Sequence, residues 1–110
     1  MPVSKTHRIP LRVRNLITKA GTNNPEEIAA YLKIRVRVAA FTSSINSFCV
    51  TASNKKQICI SDRLNEDKKN KAICWGIGYF VLGNRASEGE ITYFENELYN
   101  QLLDSYLKIG

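Results

Sequence analysis

The residues with reactive side chains do not form a complete catalytic set. The chain has three cysteines and a single histidine, His7. A cysteine nucleophile needs a neighbouring base, and no histidine lies near Cys74 in the sequence. All three cysteines lie among apolar residues, which is typical of buried, reduced thiols. A disulfide between Cys49 and Cys59 across a hairpin is sterically conceivable, although a reducing cytosol argues against it.

Two other patterns are better explained by structure than by chemistry. The stretch from Gly76 to Gly78 lies within a predicted helix instead of a strand-to-helix loop, so it does not predict a phosphate cradle. Acidic residues recur near the C-terminus, where an amphipathic helix would place them on its solvated face: Glu88, Glu90, Glu95 and Glu97.

Positive charge is concentrated at the N-terminus. The net charge is +6, and the first twenty residues hold five basic and no acidic side chains. We expect a loose basic arm over residues 1–10, followed by a single domain over residues 11–110. Basic side chains of this kind contact phosphate or acidic protein surfaces, and the alternative is an ordinary solvated face. The candidate partner-binding arginines are Arg8, Arg12, Arg14, Arg35 and Arg37.

Length and composition indicate one ordinary globular domain. The chain has 110 residues, of which 44% are apolar and 24% charged, as in typical soluble proteins. No apolar run approaches the roughly 20 residues that span a bilayer, and residues 1–14 lack the apolar centre of a signal peptide. We therefore expect a cytoplasmic protein with no membrane association.

A central helix is predicted near residues 66–83. Asn65 is a plausible N-cap, acidic residues follow it, and Gly83 supplies a C-terminal stop. From Ala72 to Leu82 the segment is apolar on nearly every side, which is typical of a buried helix.

The remaining elements complete an α+β pattern. Helices are predicted over residues 11–20, from Asn24 to about Lys33, and from Ile91 onwards. Residues 34–38 alternate as a half-buried strand, and two further strands flank a turn at residues 53–56, where Asn54 tolerates positive φ. We expect the side chains of this hairpin that face the core to be Phe48, Val50, Ile58 and Ile60.

The order and spacing of these elements resemble the ImmA/IrrE-type metallopeptidases. The similar phrases are the helix and strand of residues 24–34, the hairpin of residues 48–61, and the helix that begins with residues 64–67. This resemblance covers roughly residues 11–107. It implies a small zincin-like domain with about four helices and a three-stranded, mostly antiparallel sheet, and it implies a phage or mobile-element source.

The zinc motif of that family is not preserved. The family places a His-Glu-x-x-His motif on its central helix, with two imidazoles to hold zinc and a glutamate as general base. In an ungapped comparison these positions fall at Trp75, Gly76 and Tyr79, and the best match to the third ligand is Glu97, followed by Glu95. Indole offers no lone pair and glycine no carboxylate, so we expect no zinc, no other cofactor and no peptidase activity.

Two interpretations of the aromatic pair remain open. Trp75 and Tyr79 would fill the former metal site as core residues, each contributing about 1.5–3 kcal/mol through apolar burial. Alternatively, they line a remaining groove that grips a partner peptide. Core filling is the favoured interpretation. Gly76 and Gly78 predict that a strand, a neighbouring helix or a second copy of the chain packs closely against this helix.

The expected function is that of a non-catalytic pseudoenzyme that regulates by binding protein. Through the resemblance, the implied partner is a helix-turn-helix repressor or a related regulator of transcription in a lysis–lysogeny switch, and self-association is a further possibility. The alternative is a nucleic-acid-binding protein that uses the basic N-terminal arm.

Overall fold

A computed structural model of the chain describes residues 5–41, 44–83 and 85–109. Over these ranges the predicted α+β class, with four helices and a three-stranded sheet, is confirmed. No helix of the described ranges is long and apolar enough to cross a bilayer. The elements in chain order are α1 (Lys5–Ala20), α2 (Pro25–Tyr31), β1 (Ile34–Ala39), β2 (Ser47–Ala52), β3 (Lys55–Ser61), α3 (Glu66–Leu82) and α4 (Glu88–Ile109).

The sheet is mixed, with strand order β1-β3-β2. β2 and β3 form an antiparallel hairpin, whereas β1 pairs with the other edge of β3 in parallel. The expectation of a mostly antiparallel sheet is therefore wrong. Residue alternation predicts which face of a strand is buried but not the direction of its neighbour.

A two-residue turn sets the register of the hairpin. Ser53 and Asn54 have φ values of 52° and 63°, as in the tight turns that match strand twist, so the prediction for Asn54 is confirmed. Cys49 consequently pairs with Ile58, and Phe48 pairs with Cys59. Since paired residues share a face, Cys49 and Cys59 lie on opposite faces of the sheet, and all three cysteines are free.

The same register decides which side chains of the hairpin reach the core. Ile58 and Ile60 are buried, as predicted. Phe48 and Val50 are 43% and 36% exposed, so the expectation that they face the core is wrong. They occupy the outer face of β2, and Cys49 is the β2 side chain that packs against the core.

The first helix extends further towards the N-terminus than predicted. α1 begins at Lys5 and runs through Pro10 without interruption, and Ile9 is only 1% exposed. A loose arm ending at residue 10 is therefore wrong for residues 5–10, because Ile9 continues the apolar stripe of Val13 and Leu16 at helical spacing. Residues 1–4 and the side chain of His7 lie outside what the structure describes.

Two glycines bring α3 close to its neighbours. A Cβ atom at Gly76 would lie 2.5 Å from Cδ1 of Ile58 on β3, and one at Gly78 would lie 3.0 Å from the Phe94 ring on α4. The predicted close packing is confirmed, and the partners are a strand and a helix. α3 begins after Asn65, whose side chain accepts a hydrogen bond from the Lys68 amide at 2.8 Å, as predicted for an N-cap.

Candidate functional site

An open cleft lies between α3, α4 and the beginning of β2. Its volume is about 370 Å³. α3 forms the longest wall, because Lys68, Lys71 and Trp75 follow one another at spacings of three and four residues and so share a helix face. The residues that line the cleft are Asn46, Ser47, Leu64, Lys68, Lys71, Ala72, Trp75 and Glu95.

The two aromatic residues predicted to share a stripe do so. The rings of Trp75 and Tyr79 stack with centroids 5.7 Å apart and an interplanar angle of 20°. Phe80 meets the Tyr79 ring edge-on at 5.3 Å. Trp75 is half-buried, and Tyr79 is 41% exposed. Core filling, the favoured interpretation, is therefore wrong for Tyr79, whose ring is available at the surface.

Charges of both signs line the cleft. Burial raises the pKa of Glu95 above its ordinary value, and the nearby Lys71 acts in the opposite direction. The ammonium of Lys71 lies 5.5 Å from the centre of the Tyr99 ring, and the Tyr99 hydroxyl donates a hydrogen bond to Asp67. Two lysines against one half-buried carboxylate leave the cleft with a cationic wall.

Glu97 does not face this cleft. It lines a separate depression on α4 together with Tyr93 and Asn96, whereas Glu95 faces the α3 side. Residues two positions apart in a helix point in nearly opposite directions, so only one of the pair can approach α3. Of the two acidic residues named as matches to a third ligand, Glu95 lines the cleft and Glu97 does not.

The donor atoms of the cleft do not suit zinc. Structural and catalytic zinc sites use several thiolate, imidazole or carboxylate ligands, and among the described residues that line the cleft, Glu95 is the one carboxylate. Across the described ranges no three His, Cys, Asp or Glu side chains are grouped to hold a metal. Trp75 and Tyr79, at which the sequence resemblance implies two ligand positions, offer stacking surfaces instead of ligands.

The basic residues of α1 lie apart from the cleft. The Arg12 guanidinium donates to the Val81 carbonyl at 3.1 Å, close to the C-terminal end of α3. Arg8 and Arg12 line a second cavity, of about 360 Å³, together with Glu90, while Arg14 is exposed. Arg12 is thus engaged with the fold, and a cation at a helix C-terminus is favourable because of the helix dipole.

Arg35 and Arg37 lie on the sheet, and neither belongs to α1 or to the cleft wall. Both side chains are exposed on the outer face of β1, as the alternation predicts. α1 packs mainly on α4 and α2. The candidate arginines of the sequence therefore belong to two surfaces and not to one patch.

Some residues that shape the cleft and its surroundings were missed by sequence reasoning. Lys71 lies one helical turn before Trp75, and Lys68 lies two turns before it. This spacing is a sequence signal that identifies the cleft wall. Ser87 and Glu90 form a reciprocal cap at the start of α4, with each backbone amide 3.1 Å from the other's side-chain oxygen. The Ser-x-x-Glu spacing predicts such a cap.

Comparisons with protein-family models, with curated proteins and with solved structures find no match to this chain.

Proposed function

We propose that this protein is a non-catalytic binding protein whose cleft accepts an extended segment of a protein partner. The observation that carries the proposal is the half-buried ring of Trp75 on the wall of an open cleft, stacked against the exposed ring of Tyr79 one helical turn further along α3. Tryptophan and tyrosine side chains at a concave site and its border are favoured binding anchors. In the family that the sequence resembles, the corresponding positions hold the zinc ligands of a peptide-cutting cleft.

The strand beside the cleft supports an extended ligand. β2 has a single sheet neighbour, β3, so the backbone groups on its other edge have no partner strand among the described elements. Ser47, the first residue of β2, lines the cleft opposite Trp75. A peptide in strand conformation can hydrogen-bond to such an edge while its side chains contact the neighbouring helix.

The charges favour acidic ligands. Lys68 and Lys71 border the cleft on the α3 side, and Glu95 is the one carboxylate that the described part of the chain contributes to its wall. We infer that a bound segment carries a carboxylate near these lysines and an apolar or aromatic side chain over Trp75. Consistent with the resemblance, the proposed partner is a helix-turn-helix repressor or a related regulator in the cytoplasm of the host, and binding alone would produce the regulatory effect.

The first experiment selects ligands from a displayed library of random decapeptides on the immobilised protein. Trp75 is the sole tryptophan of the chain, so its fluorescence reports directly on the cleft when a selected peptide is titrated. We expect selected peptides to combine acidic and aromatic residues and to change this fluorescence. Peptides that leave it unchanged would contradict the proposal.

A pair of tyrosine variants locates the site. Tyr79→Ser removes a ring that is 41% exposed beside Trp75, and Tyr31→Ser removes one that is 49% exposed on α2. Loss of a binding anchor raises the dissociation constant about 30-fold, so we expect this change for Tyr79→Ser and none for Tyr31→Ser. Equal affinities would exclude the stacked aromatic pair as the binding anchor. Stoichiometric zinc retained by the purified protein after dialysis would contradict the non-catalytic assignment.

A further inference from the structure

The outer face of the sheet is a second accessible surface. The buried residues Ile58 and Ile60 lie on the opposite face, where β3 packs against α3. The outer side chains of the two edge strands are exposed. The outer face includes Arg35 and Arg37 on β1, Lys55 and the half-buried Gln57 and Cys59 on β3, and Phe48 and Val50 on β2.

The register arranges these side chains in rows across the strands. One row consists of Arg37, Cys59 and Phe48, which are level with one another. The next row consists of Arg35, Gln57 and Val50. Neighbouring strands are about 4.8 Å apart, so in each row the backbone of the arginine lies about 10 Å from the backbone of the apolar residue, with a central β3 residue between them. One edge of the face is cationic, and the other is apolar.

Negative charge is absent from the strands. β1, β2 and β3 contain no Asp or Glu, while Arg35, Arg37 and Lys55 belong to the outer face. A surface with three cations and no strand carboxylate attracts a polyanion. No carboxylate of the strands repels the polyanion along the rows.

An accessible aromatic ring completes the surface. Phe48 is 43% exposed, and its ring is supported by Phe41, with centroids 5.3 Å apart. This support fixes the orientation of a ring on which a flat ligand can stack. Gln57, in the middle of the adjacent row, brings an amide that can both donate and accept hydrogen bonds.

We propose that the outer face of the sheet binds single-stranded nucleic acid. The backbone phosphates would run along Arg35 and Arg37, and a base would stack on Phe48. Proteins that bind single strands combine a cationic track with aromatic stacking platforms in this way. A single strand is favoured over a duplex because a duplex keeps its bases stacked inside and offers none to Phe48. This surface differs from the α3 cleft, so the proposal does not depend on the proposed function.

The test is fluorescence anisotropy with labelled twelve-nucleotide oligo(dT) and oligo(U), and with a duplex of the same length. We expect tighter binding of the single strands. Three neutralised phosphates predict a loss of affinity of about 20-fold between 50 and 200 mM salt. Substituting both Arg35→Gln and Arg37→Gln should reduce this salt effect to about threefold. The charge-matched control is Lys19→Gln with Arg85→Gln, both exposed outside the sheet, and it should leave the salt effect unchanged.

Variants of Phe48 separate stacking from charge. Phe48→Leu should weaken binding about 5- to 100-fold, whereas Phe48→Tyr should retain it because the ring is preserved. The thermal melt of each variant checks that it is folded. If the two charge variants had equal effects, net charge alone would account for the binding, and the proposal would be overturned. Preferential binding of the duplex would also overturn the proposal. The same holds if the sheet variants lose binding of an acidic helical peptide but keep binding of the oligonucleotides.

Discussion

At the scale of single residues, the glycines of α3 explain more of the packing of this helix than its aromatic residues do. Glycine at positions 76 and 78 lowers intrinsic helix stability by about 1 kcal/mol each. The absence of a side chain lets Ile58 of β3 and Phe94 of α4 approach the helix backbone. The sequence predicts that something packs there. It does not identify the partners, because both are distant in the chain and contact α3 only after the sheet and α4 have formed.

We predict that Gly76→Ala destabilises the protein by about 1–2 kcal/mol. The added methyl group would overlap Ile58, which is 1% exposed, so this buried side chain or the helix must shift. Overpacking of this kind outweighs the gain in helix propensity. Gly89→Ala is the control, since its Cβ would have only Ser87 Oγ nearby, at 3.8 Å, and it should be neutral or stabilising. Urea unfolding of both variants measures the difference, and a Gly76→Ala protein as stable as the wild type would contradict the packing.

At the scale of elements, helix ends were easier to predict than strand faces. Asn65 and Gly83 bound α3 as expected, because cap preferences depend on a few neighbouring residues. The inner face of β2 was predicted wrongly, because its most apolar residues, Phe48 and Val50, lie outward. The register of this hairpin follows from the two-residue turn, and a shift of one residue moves every side chain to the other face. The same limit applies to the parallel pairing of β1, which no local pattern specifies.

The contact between α1 and the end of α3 gives a second prediction. Arg12→Gln should lower the free energy of unfolding by about 0.5–1 kcal/mol, because it removes both a hydrogen bond to Val81 and a cation at a helix C-terminus. Arg14→Gln, also exposed on α1, should change it by less than about 0.5 kcal/mol. Chemical denaturation at low salt measures both variants. Equal stability of the two would show that the Arg12 contact contributes nothing.

At the scale of the whole molecule, the helices leave one face of the sheet open. α2 and α3 pack on the sheet, and the core is formed by Ile34 of β1 and Ile58 and Ile60 of β3 together with side chains from the helices. The candidate sites lie outside this core, one between α3 and α4 and one on the open face of the sheet. The class of the fold follows from helix and strand periodicity. The location of either site does not, because each combines residues from elements that only the folded chain brings together.

Burial of the thiols makes stability depend on pH. Desolvation raises the pKa of Cys49 from 9.0 to about 11 and raises that of Cys74 as well. Below pH 9 these thiols are protonated in both states, so their contribution to stability is complete. As the pH rises above 9, the unfolded chain releases these protons while the native protein retains them, and stability falls.

The corresponding measurement is the free energy of unfolding from pH 7 to pH 10.5 under reducing conditions. We expect the decline above pH 9 to be shallower in Cys49→Ser than in the wild type. Because lysine and tyrosine side chains titrate in the same range, the difference between the two proteins is the informative quantity. An unchanged slope in Cys49→Ser would contradict the assignment.

The close approach of α3 to its two neighbours also has a dynamic consequence. Around Gly76 and Gly78 the backbone is covered by Ile58 on one side and Phe94 on the other, so water and hydroxide reach these amides only when the sheet and α4 separate. Deuterium should therefore enter the amides of residues 76–78 at the rate of global opening, and much earlier in the first turn of the same helix. A gradient of deuterium uptake along α3 would thus show which part of the molecule unfolds last.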